Sequence, residues 1–298
     1  MTSLWARVVL ASCCWWGIAS VVPAFSSEPV ERTASSRQWE RLLAEAGQLH
    51  LPTTFLKAIP PDFIRFEFDD LRAYAAEYHP GEHRMVLNRS LSFNAAGRIL
   101  KPLTKMTHKE LEVLYHELFH AYMDYLASFV EQPGDAGSVS NELMNFARTQ
   151  QACRYGNVMI APVVQRPDET ESRYLTESES WEALNETWAV FIGWTVWHQL
   201  EVQRQGVESM FRQQRLMDRW VQRLEMAFQN GELRGYYAPQ DADERRIAHK
   251  RFLAKPSQLT WIEASVLMTQ ALGFPDEFIH RIQPFQGFPQ VDAPRIPC

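Results

Sequence analysis

The chain has 298 residues, of which 46% are hydrophobic and 22% are charged, a composition typical of a globular protein with a sizeable core. This composition excludes an intrinsically disordered or collagen-like chain. The formal net charge of −6, without any basic run, argues against nucleic acid as a partner.

The first 24 residues have the features of a cleaved export signal. A short start leads into the apolar run VVLASCCWWGIASVV, and Val22-Pro23-Ala24 places small residues before an expected cleavage at Phe25. We therefore predict a secreted or periplasmic protein, with no stable membrane insertion once the signal peptide is removed. An uncleaved membrane anchor and a lipid-modified Cys13 are alternatives that the sequence leaves open.

The chain after the signal peptide is predicted to form one domain. Residues 25–36 are small and polar, which predicts a flexible leader, and residues 37–298 contain no internal repeat or low-complexity tract. Signal cleavage would leave Cys153 and Cys298 as the remaining cysteines, which could pair in an oxidising compartment. The sequence leaves this pairing open.

The N-terminal part of the domain combines one helix with a small sheet. Residues 37–50 have helical spacing, whereas FIRFEF at 63–68 changes to period two, which indicates a half-buried strand. Two further extended runs, AYAAEYH and HRMVLN, flank the turn residues Pro80-Gly81-Glu82 and predict a hairpin. We therefore expect a small antiparallel sheet before the first long helix.

Helices dominate from residue 107 onward. Further helices are predicted at 140–155 and 207–228, and residues 158–164 predict a short buried strand or loop. Three other helix starts are predicted by capping boxes, in which a threonine is followed three residues later by a glutamate. The pairs are Thr107 with Glu110, Thr176 with Glu179 and Thr260 with Glu263. The predicted fold class is therefore α+β, with a small sheet and a mainly helical lobe.

The helix that follows Thr107 contains the sequence His116-Glu117-x-x-His120. Both histidines lie about 160° from the apolar face of this helix on a helical wheel, and that face consists of Leu111, Leu114, Tyr115, Leu118, Tyr122 and Leu126. Four residues correspond to about one turn, so both rings can reach one metal ion with Glu117 beside them. The spacing therefore predicts a metal site rather than a pair of core histidines.

A zinc ion in such a site needs a third protein ligand and leaves a fourth position for water. The metzincin pattern is excluded, because Met123 and Leu126 occupy its glycine and histidine positions. On the helix after Thr176, Glu182 and Glu186 share a stripe with small residues that would allow close helix packing. Glu186 is the preferred ligand because a deep carboxylate needs a positive partner, and Glu182 is the alternative.

The segment HELFH at 116–120, followed by Asn185-Glu186 on a later helix, resembles the gluzincin, or thermolysin-like, zinc metallopeptidases. The resemblance covers two helices, a minority of the chain. It implies a zincin-like fold in which Zn²⁺ is bound by His116, His120 and Glu186. It also implies that Glu117 is the general base in the hydrolysis of a peptide or protein substrate.

This chain departs from the gluzincin pattern at Val190, where an aspartate is expected. The side chain that orients a ligand histidine must then come from elsewhere, and Asp124 and Asn141 are candidates. The strand HRMVLN is either an ordinary edge strand or one to which an extended substrate adds. An oxyanion donor is also needed, for which the candidates are Tyr174, Tyr236, Tyr237, His198 and His249.

Two other functional classes remain open at this point. A protein of the cell envelope could use zinc, or only the fold, as a non-catalytic scaffold for a partner. A metal-free helical protein with two incidental histidines is the third possibility. Metal content separates the last class from the others, and the effect of Glu117→Gln on hydrolysis separates the first two.

Overall fold

Helices form most of the described structure. The computed structural model describes residues 34–72, 75–94, 99–130, 139–168, 172–203 and 209–282. Within these ranges the helices are α1 (Ala34–Gln48), α2 (Thr54–Ala58), α3 (His108–Val130), α4 (Val139–Cys153), α5 (Glu177–Gln203), α6 (Gln214–Asn230), α7 (Ala242–Ile247), α8 (Trp261–Val266) and α9 (Asp276–Ile282). The strands are β1 (Arg65–Asp69), β2 (Ala76–His79), β3 (Arg84–Asn88), β4 (Met159–Ile160), β5 (Arg173–Tyr174), β6 (Tyr236–Tyr237) and β7 (Arg251–Phe252). These elements confirm the predicted α+β class in general terms.

The N-terminal sheet is mixed rather than antiparallel. Its strand order is β1-β3-β2, with β2 antiparallel and β1 parallel to β3. The predicted hairpin is confirmed, and its turn includes Gly81 with a φ of 80° and His83 with a φ of 49°. The prediction of an antiparallel sheet was wrong because β3 inserts between β1 and β2, and alternation along a strand does not indicate the direction of its partner.

The central position of β3 corrects a second prediction. The strand HRMVLN contains β3, which pairs with a neighbour on both sides. It therefore has no open edge to which an extended substrate could add. In the described sheet the outer strands are β1 and β2, and β2 lies against α3.

Helix α1 begins inside the predicted flexible leader. Its first residue is Ala34, so residues 34–36 are helical, and the rest of the leader lies outside the described residues. The apolar positions Trp39, Leu42 and Ala46 are buried, as the helical spacing predicted. Helix α2 was not predicted, because five residues are too few to show a helical period.

Helix α3 starts where its capping box predicted. The Glu110 N–H donates to Thr107 Oγ1 over 3.2 Å, and the Thr107 N–H donates to Glu110 Oε2 over 2.7 Å. All six residues of the predicted apolar face are buried. His116 and His120 lie on the other side of the helix and are only partly buried, which agrees with the helical wheel.

Helix α5 packs closely on α3 through Gly193. A Cβ atom placed at Gly193 would lie 2.9 Å from the backbone oxygen of Glu112 and 3.5 Å from the Cβ of His116. The small-residue stripe predicted on α5 therefore allows the close helix packing that was expected from it. Because this contact lies beside His116, it also determines how near the side chains of α5 come to the histidines.

We expect Gly193→Ala to lower the free energy of unfolding by about 1 kcal/mol, because overpacking outweighs the gain in helix propensity. Gly47→Ala in α1 is the matched control, since an added Cβ there has no atom within 4 Å. The control should raise stability by about 0.5–1 kcal/mol. Urea denaturation of the two variants measures the difference, and equal stabilities would contradict the close α3–α5 contact.

The C-terminal half keeps most of its predicted helix boundaries. Helix α6 ends at Asn230 and is capped by Gly231, which adopts the left-handed conformation with a φ of 73°. A 3₁₀ turn at Met210–Arg212 precedes α6, so the continuous helix predicted from residue 207 was wrong at its start. The capping box of Thr260 and Glu263 opens α8, which continues as a π-helical stretch. Helix α9 was not predicted.

Two small sheets follow α4 along the chain. The antiparallel pairs β4–β5 and β6–β7 have two residues per strand. Of these strands only β4 lies in a segment predicted as extended, because two residues cannot show a period of two. The segment that contains β6 packs along α5, where Gly235 lies so close to Thr187 that a Cβ at this position would clash with it.

Several predictions concern residues outside the described ranges, including the signal peptide and Cys298. Cys153 forms a disulfide bond, and the other cysteines of the chain all lie outside the described residues. The contacts of residues Thr33–Cys298 group them into one compact unit. Among the helices of the described ranges, none combines the length and the apolar character needed to cross a membrane.

Candidate metal centre

Three donor side chains meet between α3 and α5. His116 Nε2 lies 3.1 Å from Glu186 Oε2 and 3.1 Å from His120 Nε2, and His120 Nε2 lies 3.5 Å from Glu186 Oε2. All three side chains are about one-sixth exposed or less, at 14%, 16% and 15% for His116, His120 and Glu186. In the described part of the chain this is the group of histidine, cysteine and acidic residues that could hold a metal ion.

The distances among the donor atoms suit a tetrahedral ion. Zinc–ligand bonds of about 2.0–2.2 Å in a tetrahedron place neighbouring ligand atoms about 3.3–3.5 Å apart. The observed separations of 3.1, 3.1 and 3.5 Å are close to that spacing. The circle through the three atoms has a radius of about 1.9 Å, so an ion slightly out of their plane reaches all three at zinc-bond length.

The pKa shifts within the group favour an ionised Glu186 next to a positive charge. Burial opposes ionisation of Glu186, but the His120 charge and the hydrogen bonds from both rings hold the pKa of Glu186 well below its usual range. Burial likewise disfavours a charged His120, but Glu186, with help from Glu117 and Asn185, raises the pKa of His120 to about 9. In the metal-free protein the buried carboxylate is therefore neutralised by a proton on His120.

Metal binding should therefore release a proton. Because zinc binds neutral imidazole, the ion must displace the proton that His120 carries below a pKa of about 9. Zinc affinity is expected to rise about tenfold per pH unit up to about pH 9 and to level off above it. Calorimetric titrations in buffers of different ionisation enthalpy measure this release, and an affinity that is flat between about pH 6 and pH 9 would contradict the assignment.

Glu117 lies beside the donor group and has a contact of its own. Its Oε2 accepts a hydrogen bond of 2.9 Å from the backbone N–H of Tyr78 in β2. Its charge also contributes to the raised pKa of His120, which places it near the ring. The structure thus brings the predicted base together with the three predicted ligands. The contact with Tyr78 was missed, since no local pattern marks a backbone donor 39 residues away.

Glu182, the alternative third ligand, is directed elsewhere. Burial raises the pKa of Glu182, while a hydrogen bond from the backbone of Ala238 opposes that rise. Its carboxylate is not part of the group formed by the two histidines and Glu186. Glu179 is fully buried and is bound by Arg173, and it also caps α5 through Thr176. The geometry therefore favours Glu186.

The side chain next to His120 is Asn185, which was not among the two candidates for orienting a ligand histidine. The Asn185 side chain contributes to raising the pKa of His120. Its Oδ1 atom is buried and has no hydrogen-bond partner within normal distance. It is therefore available to accept the second ring N–H of His120 when Nε2 binds a metal. The sequence could have pointed to Asn185 as an orienting residue, because Asn185 directly precedes the predicted ligand Glu186.

The two proposed orienting residues are placed differently. Asp124 accepts hydrogen bonds from the Tyr78 hydroxyl and from His83 Nδ1, over 2.7 and 2.9 Å. The Asp124 carboxylate therefore binds two residues of the hairpin and does not orient a ligand histidine. The side chain of Asn141 lies outside the described residues.

The five candidates for the oxyanion donor have diverse surroundings. Tyr174 is exposed on β5, and the Tyr236 hydroxyl accepts a hydrogen bond from Lys250. The Tyr237 hydroxyl is buried without a hydrogen-bond partner. His198 is bonded to the Arg223 guanidinium, and burial together with that charge lowers the pKa of His198 to about 4. His249 is exposed.

Comparisons of this chain with models of protein families, with curated proteins and with solved structures give no match. A functional assignment must therefore be argued from the donor group and the residues around it.

Proposed function

We propose that this protein is an exported, zinc-dependent peptidase of the gluzincin type. The observation that carries the proposal is the convergence of His116 Nε2, His120 Nε2 and Glu186 Oε2, with Glu117 next in the chain to His116. Catalytic zinc sites commonly use two histidines and one glutamate and keep a fourth position open.

The order of the elements around the site supports the proposal of a zincin-like fold. A small sheet precedes α3, and its outer strand β2 lies against the helix that contains both histidines. The third donor comes from α5, the next helix but one along the chain. A helix with both histidines, followed by a later helix with the glutamate, is the arrangement that the resemblance implies.

The chain's own residues account for the proton transfers of peptide hydrolysis. Zinc, when bound by the two histidines and Glu186, would activate a water molecule and polarise the substrate carbonyl. The Glu117 carboxylate accepts the proton of the attacking water as the C–O bond forms. It then donates this proton to the amine nitrogen as the C–N bond breaks, so that one acid and one amine leave the site.

The donor set also bears on the identity of the metal. Two histidines and one carboxylate suit zinc, but the same set can hold Fe²⁺ in oxygenases. Glu117 beside the donors favours hydrolysis, because an oxygenase does not need a general base at that position. Elemental analysis of the purified protein decides between the two metals.

The proposal is tested by cleavage of a peptide library with the zinc-loaded protein. We expect fragments that appear with zinc, disappear after chelation and return when zinc is restored. A protein that binds zinc but cleaves no peptide would contradict the peptidase function and support a non-catalytic scaffold of the cell envelope. Mass spectrometry of the fragments also distinguishes internal cleavage from removal of terminal residues.

A further inference from the structure

The outer strand β2 directs one backbone N–H at the proposed base. The N–H of Asn88 donates to the carbonyl of Ala75, so in the antiparallel register the backbone groups of residues 75, 77 and 79 face β3. The backbone groups of residue 78 consequently face away from β3. The Tyr78 N–H uses this direction to donate to Glu117 Oε2 over 2.9 Å.

The same tyrosine reaches α3 a second time through its side chain. Its hydroxyl donates to Asp124 Oδ2 over 2.7 Å. Glu117 and Asp124 are seven residues apart, which is about two helical turns and about 10 Å along the axis. Tyr78 is buried, and burial together with the bond to Asp124 raises its pKa, so the hydroxyl remains a donor. Tyr78 therefore fixes β2 to α3 at two separate points.

The turn of the hairpin is attached at the same place. His83 Nδ1 lies 2.9 Å from the same Asp124 oxygen. The His83 ring contacts Phe63 in a tilted arrangement, with 4.2 Å between the ring centroids. His83 has a φ of 49°, a conformation that is uncommon for residues other than glycine. Phe63 in turn contacts Tyr125 of α3, with 5.1 Å between the ring centroids. Asp124 thus ties both the outer strand and its turn to the helix.

These contacts restrict the Glu117 carboxylate. One of its oxygens is held by a backbone donor whose own position is fixed by Asp124 and His83. Among the described residues, none donates a hydrogen bond to the other oxygen, Oε1. That arrangement leaves one oxygen for proton transfer while the other defines the orientation of the group.

We propose that Tyr78, Asp124 and His83 are positioning residues that hold β2 on α3 and so orient the Glu117 carboxylate for proton transfer. This inference rests on the proposed function, since a base needs an orientation only where it accepts a proton. None of the three is proposed as a metal ligand. Their loss is therefore expected to change turnover without changing zinc content.

Hydrogen exchange tests the contact independently of any activity. The Tyr78 amide faces away from β3, so we expect its exchange to be slowed by Glu117 and to become more than about tenfold faster in Glu117→Ala. The amide of Glu77, which faces β3, is the internal control and should keep its rate. Asp124→Asn should also make exchange at the Tyr78 amide faster, because it weakens the bond that holds Tyr78 on α3. An unchanged Tyr78 rate in both variants would overturn the inference.

Steady-state kinetics test the positioning role. Tyr78→Phe and Asp124→Asn are expected to lower kcat about tenfold, with KM and zinc content changed less than about twofold. His83→Ala should act in the same direction with a smaller effect, because its ring is 41% exposed. Tyr122→Phe removes a hydroxyl from the apolar face of α3 and is the matched control, with expected wild-type kinetics.

The two experiments separate failure of this inference from failure of the proposed function. Wild-type kcat in both Tyr78→Phe and Asp124→Asn would overturn the positioning role while leaving the peptidase intact. Loss of zinc together with activity in these variants would also contradict it, because the residues would then support the metal site. A zinc-loaded wild type without hydrolysis would overturn the proposed function and the positioning role together, even if exchange at Tyr78 depends on Glu117.

Discussion

Glu117→Gln is expected to reduce peptide hydrolysis about 10³-fold while the zinc content stays at the wild-type level. The amide has nearly the same shape as the carboxylate and can still accept the Tyr78 N–H. It cannot, however, accept the proton of the attacking water, and loss of a general base typically costs about 10²–10⁴-fold in rate. Measurement of kcat/KM on one defined peptide, together with the zinc-to-protein ratio, provides both numbers.

Glu112→Gln is the matched control for this variant. Glu112 lies on the same helix and forms an ion pair of 3.0 Å with Lys109, whose side chain is largely exposed. Such a pair contributes about 0–1 kcal/mol, so the control should keep both stability and hydrolysis. Full activity in Glu117→Gln would contradict the assigned base. Loss of zinc in Glu117→Gln would instead give Glu117 a role in metal binding.

Glu186→Ala is expected to weaken zinc binding by more than about 100-fold, beyond the 10–100-fold effect of residues that only support a ligand. The change removes one of the three converging donor atoms and leaves the two histidines without a carboxylate partner. Without that partner His120 also loses the largest interaction that raises its pKa, and the weaker competition from the His120 proton offsets part of the loss below about pH 9. Competition titrations with a zinc-binding dye measure the affinity.

Glu182→Ala gives this experiment its control. Glu182 lies one turn before Glu186 on α5, but its carboxylate interacts with the backbone of Ala238 instead of the histidines. Its removal should change zinc affinity less than about tenfold, below the loss expected for a ligand. If Glu182→Ala loses zinc and Glu186→Ala retains it, the third ligand has been assigned to the wrong residue.

The parts of the site that could be predicted are those set by local sequence. The helical wheel separated His116 and His120 from the apolar face of α3, and the structure shows that division. The capping pairs opening α3 and α8 also formed as predicted, because both of their hydrogen bonds lie within one turn. Glu186 was preferred because an ionised group inside the protein requires a positive neighbour, and it does lie within 3.5 Å of both histidine rings. Its role as a metal ligand stays a prediction.

The parts that could not be predicted depend on contacts between distant residues. The parallel pairing of β1 with β3 follows from the path of the chain, and neither strand shows it in its own alternation. The bond from the Tyr78 backbone to Glu117 depends on how β2 lies against α3, which no spacing encodes. Strands of two residues, such as β6 and β7, are too short for any period to be visible.

Asn185 is a candidate for the orienting role that the gluzincin resemblance leaves open at Val190. The gluzincin pattern has an aspartate at this position, one turn after Glu186, and here the position holds a half-buried valine. Beside His120 the polar side chain is Asn185, whose buried Oδ1 has no other partner. We therefore propose that Asn185 orients His120 when His120 binds a metal.

The metal content and coordination of the purified protein test the central claim most directly. Elemental analysis combined with X-ray absorption spectroscopy at the zinc edge is expected to show about one zinc per chain. The spectrum should fit two imidazole nitrogens and carboxylate or water oxygens at about 2.0–2.2 Å. Far less than one zinc per chain after growth and titration with zinc, or a sulfur-containing coordination shell, would contradict a site built from His116, His120 and Glu186.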